Sequence, residues 1–273
     1  MKKVITVTLG SSAKDFEFKT KFLGQEFSVQ RLGADRDSSK AWELMRRQQA
    51  HADAIALSDM PDHYHVGLRT VINKKSQRLL QVRAVRHVQK ELGHYFNNNL
   101  VLFLSGMRNY DMAVALSDYT KNLSFADPVF HAGSPVLLNS LDQLELFVKG
   151  KELLPDAVPG DFLKSVLGTY KNKIVANAAA KAHVIVGTFR EFQAVADGRN
   201  LEGKTLITSA VDDEAFAFFA KNKVNLVVDV SPKLFDRVVG ISTITAMILA
   251  ATGKAEEELT DHDFEEILHE LDI

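Results

Sequence analysis

Three short apolar runs in the second half of the chain, HVIVG (183–187), TLITS (205–209) and NLVVDV (225–230), limit the fold more than any other feature. Each is rich in β-branched residues and too short to be a buried helix, while the segments between them, such as DDEAFAFFAKNK, space their apolar residues as helices do. Strands alternating with helices at this distance join through right-handed crossovers into a mostly parallel sheet. LVLFLSG (100–106) reads as one more fully buried strand, opening onto a helix over 108–119, and the polar Asn97-Asn98-Asn99 stands before it. A Rossmann-like module is therefore predicted over residues 97–240.

A first α/β module is predicted over 1–96. Residues 4–9 form a β-branched strand closed by Gly10-Ser11-Ser12, and the alternation of Phe16 and Phe18, then Phe27 and Val29, around Leu23-Gly24-Gln25-Glu26 predicts a hairpin over 16–32. Ser38 or Ser39 is a good cap for a helix that places Ala41, Leu44, Met45 and Gln48 on one face, and AIAL follows as a strand. A basic helix is expected around 76–95. Helices over 241–252 and 260–271 end the chain and return toward the first module, giving a fold class of two α/β modules, the second Rossmann-like. The last 19 residues carry nine of the 35 acids and no Lys or Arg, leaving 26 acids against 33 basic residues before them; the tail is a solvated helix face.

Composition removes whole classes of function. With no cysteine there is no disulfide framework, thiolate zinc site, iron–sulfur ligation or cysteine nucleophile. No GxSxG elbow, P-loop, HExxH or EF-hand pattern occurs, which argues against the common serine hydrolases, P-loop NTPases, zincins and calcium sensors. No run is long enough to span a bilayer, so a cytoplasmic protein without a membrane partner is expected. The Lys and Arg residues between 60 and 110 do not interleave with aromatics, so nucleic acid is not an expected partner either; a small anionic ligand is. A homo-oligomer, or membership of a longer protein, is compatible with the sequence.

Ligands of parallel sheets gather at strand carboxyl ends, which selects three turns. Gly10, Ser11 and Ser12 are small enough for backbone N–H groups to approach an anion, although such turns also serve only to leave a strand. Ser105, Gly106 and Asn109 lie where a cofactor phosphate would meet a helix N-terminus, yet the loop has one glycine and not GxGxxG. Gly187 and Thr188 form a third such turn, more simply a strand exit with Thr188 as helix cap. The richest cluster is Asp59, Asp62, His63, His65 and Arg69: carboxylate and imidazole to move a proton, guanidinium to hold an anion, or else a polar loop with incidental histidines. His63 and His65 lack a third spaced ligand, and no metal site is assigned. Phe216, Phe218 and Phe219 read as core packing.

Several segments, VTLGSSAKDFEF, LGQEFSVQRLGAD, ADAIALSDM, LVLFLSGMRNYDMAVAL, FADPVFHAGSPVLLNSL and KTLITSAVDDEAFAFFAKNKVNLVVDVSPKLFDRVVG, resemble prokaryotic proteins of the quinate/shikimate 5-dehydrogenase-like family. In a late stretch only Arg237 and Gly240 carry over. The resemblance implies a substrate module of about a hundred residues, a dinucleotide module for NAD or NADP, and terminal helices returning to the first. The family's catalytic pair can be cast on Asp59 and Lys74 (or Lys75); the reading of the residues themselves adds His63 as a proton acceptor, Ser11, Ser12 and Arg69 at the substrate, and Ser105, Gly106, Asn109, Gly187 and Thr188 at the cofactor. Three readings follow: an NAD(P)-dependent oxidoreductase of a small polyhydroxy acid; a non-catalytic module that senses a metabolite or nucleotide; and a lyase or transferase of the α/β class.

Overall fold

A computed structural model describes residues 1–58, 70–71, 75–153, 173–196, 199–231, 234–235 and 239–271. By compactness the chain divides inside a helix, between Leu79 and Leu80, and again between Val230 and Ser231. The first unit thus joins the N-terminal segment to the last 43 residues, Ser231–Ile273, and each unit has its own sheet. Residue 96 lies in the second unit and residue 240 in the first.

In the first unit β1 (Lys2–Thr8) is central and pairs in parallel with β3 (Gln25–Gly33) on one side and β4 (Ala54–Ser58) on the other. β5 (Thr70–Val71) extends the sheet past β4, and β2 (Phe16–Phe22) is the antiparallel edge beyond β3, so the order is β2-β3-β1-β4-β5. The hairpin predicted over 16–32 is present. Phe22 pairs with Gln25, and both residues between them have positive φ, 47° at Leu23 and 71° at Gly24, which is the two-residue turn whose twist suits a hairpin.

Side chains of β1 alternate between two covered faces, as in a parallel sheet buried on both sides. Ile5 and Val7, with Ile55, meet Ala41 and Met45 of α1 (Ser38–Gln48). Val4, with Val29, Ala54 and Ala56, meets Ile244, Met247 and Ile248 of α9 (Ile241–Thr252) and Phe264 of α10 (Asp261–Glu270). The terminal helices do return to the first sheet. α9 is apolar nearly all round and buried nearly all round, the expected fate of such a helix. One detail differs at α1: its cap is Asp37, whose carboxylate accepts from Ser39 N at 2.8 Å and Lys40 N at 3.1 Å, so Ser38 and Ser39 are already helical.

The second unit is built on five parallel strands: β6 (Val101–Phe103), β7 (Leu123–Phe125), β8 (Val184–Val186), β9 (Thr205–Thr208) and β10 (Leu226–Asp229), in the order β10-β9-β8-β6-β7. The remaining helices are α2 (Lys75–Glu91), across which the units divide, α3 (Tyr110–Ser117), α4 (Asp127–His131), α5 (Leu141–Leu153), α6 (173–181), α7 (Phe189–Val195) and α8 (Asp213–Lys221). Leu102, Ile185 and Leu206 pack against Val175 and Ala179 of α6, Phe192 of α7 and Phe219 of α8. Phe218 joins that layer, but Phe216 does not. It is 68% exposed, because the buried face of the amphipathic α8 is set by Ala215 and Phe219, four residues apart, and residue 216 is turned about 100° from Ala215 and lies nearly opposite Phe218.

Candidate functional site

The chain runs from β6 to β7 on one side and then to β8 on the other, so the winding reverses between β6 and β8. Crevices for ligands form at the carboxyl end of such a reversal. Both turns selected from the sequence border it, since Ser105, Gly106 and Asn109 follow β6 while Gly187 and Thr188 follow β8. They are also in contact: a Cβ on Gly187 would come within 2.9 Å of Leu104 Cδ1.

The polar groups of these turns are held from within the chain. Asp127, fully buried, accepts from Gly106 N at 2.7 Å and Met107 N at 2.9 Å, one carboxylate oxygen for each N–H. Its backbone is set there by Ala126 N, which donates to Phe103 O at 2.9 Å and so carries the β7 pairing one residue further. No cation pairs with Asp127 among the described residues. Gly106 is required by packing, since a Cβ there would meet Phe125 Cδ1 at 2.4 Å, Leu144 Cδ2 at 2.9 Å and Asp127 Oδ2 at 3.0 Å. Asn109 Nδ2 donates to Ser105 O at 2.8 Å, and Asn109 Oδ1 accepts from Gln81 Nε2 at 3.0 Å. After β8, Thr188 and Glu191 form a reciprocal capping box on α7, with Thr188 N donating to Glu191 at 2.7 Å. After β9, Ala210 N and Val211 N donate to the two oxygens of Asp229, the last residue of β10, at 3.1 and 3.0 Å.

The first unit repeats the arrangement in the open. Gly33-Ala34-Asp35 at the end of β3 matches Phe125-Ala126-Asp127: Ala34 N donates to Thr8 O at 2.8 Å, and Asp35 accepts from Ser12 N at 2.7 Å and Ser12 Oγ at 2.8 Å. Asp35 is exposed and pairs with Lys40 at 2.6 Å. The hydrogen bond from Lys40, then those from Ser12, hold the Asp35 carboxyl well below the usual carboxylate range, and Asp35 raises Lys40 in turn. Ser11 Oγ accepts from Ala13 N at 3.2 Å, while its carbonyl accepts from Arg31 Nη1 at 3.0 Å; Arg31 also pairs with Asp15 at 2.9 Å.

Of the residues predicted from sequence, Ser105, Gly106, Asn109, Gly187 and Thr188 come together at one edge of the second unit, and Ser11 and Ser12 share a turn in the first. Asp59, Asp62, His63, His65, Arg69, Lys74 and Arg237 lie outside the described residues. Asp127, Asp35 and Asp229 were not anticipated. Two of them carried a signal, an Ala-Asp pair directly after a strand, at 34–35 and 126–127.

Fold and site define a two-unit α/β protein whose second unit is a doubly wound, Rossmann-like sheet. Residues 76–273 match the family described as Domain of unknown function (DUF8754), to which the chain belongs, and residues 3–88 match Domain of unknown function (DUF8753). No curated protein matches the sequence. Among solved structures the hetero-hexameric glutamate dehydrogenase from Thermus thermophilus, in its leucine-bound form, aligns with 99% of this chain and 72% of its own, at 10% identity and a TM-score of 0.40. Among the described residues no helix is long and apolar enough to cross a membrane.

Proposed function

We propose that the chain is an NAD-linked oxidoreductase of a small polyhydroxy carboxylic acid of the quinate or shikimate kind. The observation that supports this is the place of Asp127. In doubly wound dinucleotide modules a carboxylate about twenty residues past the first loop, where the second strand ends, binds the ribose hydroxyls of NAD, whereas an arginine there accommodates the 2′-phosphate of NADP. Asp127 stands 21 residues after Gly106 and two after β7, the second strand of its unit.

The chemistry of the group fits the ribose end of the cofactor. An ionised carboxylate only accepts hydrogen bonds, and a ribose diol offers two donors to replace the two amide donors it holds in the free protein. A 2′-phosphate brings further negative charge against a buried carboxylate that no described cation balances. Asp127 would hold the ribose hydroxyls, and Gly106 N and Met107 N would be the donors available to the pyrophosphate. The bound nicotinamide supplies the hydride acceptor. The substrate hydroxyl gives its proton to His63 or Lys74, oriented by Asp59, and Arg69 with Ser11 and Ser12 holds the acid. These roles rest on the sequence alone.

The test is absorbance at 340 nm with enzyme, NAD or NADP, and quinate or shikimate. A rise with NAD and one of the acids is expected. If neither acid gives a rise with either nucleotide, the proposed substrates are wrong. One observation favours the second reading, a sensor: the N–H pair after β6 is already satisfied by Asp127, in a loop with a single glycine. A sensor would bind its ligand and change conformation without consuming it.

A further inference from the structure

Among the described residues seven threonines are buried, and six of them have hydrogen-bonded hydroxyls. Thr6 and Thr243 meet each other at 2.6 Å, Thr8 accepts from Gly10 N at 3.0 Å, Thr120 and Thr245 donate to the carbonyls of Asn99 and Ile241, and Thr205 meets the Tyr95 hydroxyl. Thr208 is the exception. The residue is 5% exposed, and its Oγ1 is enclosed without a hydrogen-bond partner. Burying a hydroxyl unmet costs free energy, and native chains do it rarely.

Thr208 ends β9, and the sheet fixes its place. Pairing sets Phe125 of β7, Phe103 of β6, Val186 of β8 and Ile207 of β9 in one row, so Thr208 stands one residue beyond that row and Asp127 two. Both are therefore at the carboxyl edge. On the β10 side the neighbour of Thr208 is Asp229, whose oxygens accept from Ala210 N and Val211 N. On the β8 side the residue after the paired Val186 is Gly187, which has no side chain. Neither satisfies the hydroxyl.

A dinucleotide placed by Asp127 has one direction in which to cross this edge. Asp127 follows β7, the end strand of the sheet, and its amide donors belong to the turn after β6, so the second half of the molecule passes toward β8 and β9. Three strand intervals, about 14 Å, separate β7 from β9. Two ribosides joined by a pyrophosphate cover such a span when extended.

We propose that Thr208 Oγ1 binds the carboxamide of the nicotinamide ring. This rests on the oxidoreductase function above and names the residue that orients the ring. A hydroxyl both donates and accepts, and a carboxamide offers an NH2 donor and a carbonyl acceptor, so the two are complementary whichever end meets the oxygen. The free protein keeps the oxygen covered; the carboxamide displaces that cover and gives Thr208 the hydrogen bond it lacks. Thr208 thereby fixes which face of the ring is presented to the substrate.

Calorimetric titration of the full chain with NAD and with ADP-ribose, which lacks the nicotinamide, separates this contact from the rest of the cofactor. Wild type is expected to bind NAD more tightly than ADP-ribose. Thr208→Val keeps the shape and removes the hydroxyl. It should weaken NAD binding about tenfold, leave ADP-ribose unchanged, and melt at or above the wild-type temperature, because no bond of the free protein is lost. Thr208→Ser should retain most of the affinity for NAD. If Thr208→Val binds NAD as tightly as the wild type, weakens both ligands equally, or lowers Tm, the hydroxyl does not serve the nicotinamide and the inference is overturned. If the wild type binds neither ligand, the dinucleotide reading itself falls.

Discussion

Asp35 and Asp127 occupy equivalent places in two sheets, each one residue beyond an alanine that extends a strand and each accepting an N–H from the turn after the neighbouring strand. Their surroundings differ. Asp35 is exposed and has Lys40 beside it, whereas Asp127 is fully buried with two amide donors and no described cation. The same backbone device is thus a surface ion pair in one unit and a buried carboxylate held by two amide N–H groups in the other. The function proposed above gives the buried carboxylate of Asp127, and not that of Asp35, a hydrogen-bond-donating ligand.

The largest effect that would sharpen this contrast is expected from Asp127→Ala. Two buried N–H groups lose their acceptor, and stability should fall by about 3 kcal/mol in urea unfolding. A loss below about 1 kcal/mol would mean that the turn after β6 finds other acceptors. Next comes Gly106→Ala, which should cost about 1–3 kcal/mol because the new methyl group meets the Phe125 ring and Leu144, both in the packed interior. The effect at Asp35 is smaller and depends on pH. Its folded carboxyl lies below the ordinary value of 3.8, so its contribution is fully present above that value and is lost as pH falls through the lower folded value. Melting curves of wild type and Asp35→Asn should therefore differ at neutral pH and converge only below pH 3.8. Convergence already at pH 5 would remove the Lys40 pair from the account.

The sequence was most legible where packing is local. The β-branched runs at 4–9 and 183–187 appear as strands near their observed limits because a strand buried on both faces has little choice of composition; the half-buried edge strand at 226–229 and the helix at 241–252 are legible from their apolar runs all the same. β7 is three residues long with Ser124 in its middle, and its pairing with β6 depends on a neighbour more than twenty residues away. Phe216 shows the limit of reading aromatics as core, since helical phase decides which ring faces the sheet. The turns after β6 and β8 were correctly placed at a strand edge, but what fills them was hidden. Asp127 and Asp229 reach across to a neighbouring strand, and that reach exists only once the sheet has formed.

The most direct measurement is thermal unfolding of the wild-type protein with NAD, NADH, NADP and NADPH added separately. A ligand at a hundred times its Kd adds about 2.7 kcal/mol, roughly 5–10 °C for a chain of this size. The account predicts a rise with NAD or NADH and little or none with the 2′-phosphorylated forms. Equal shifts with NADP would contradict the role given to Asp127, and no shift with any of the four would contradict the dinucleotide site itself.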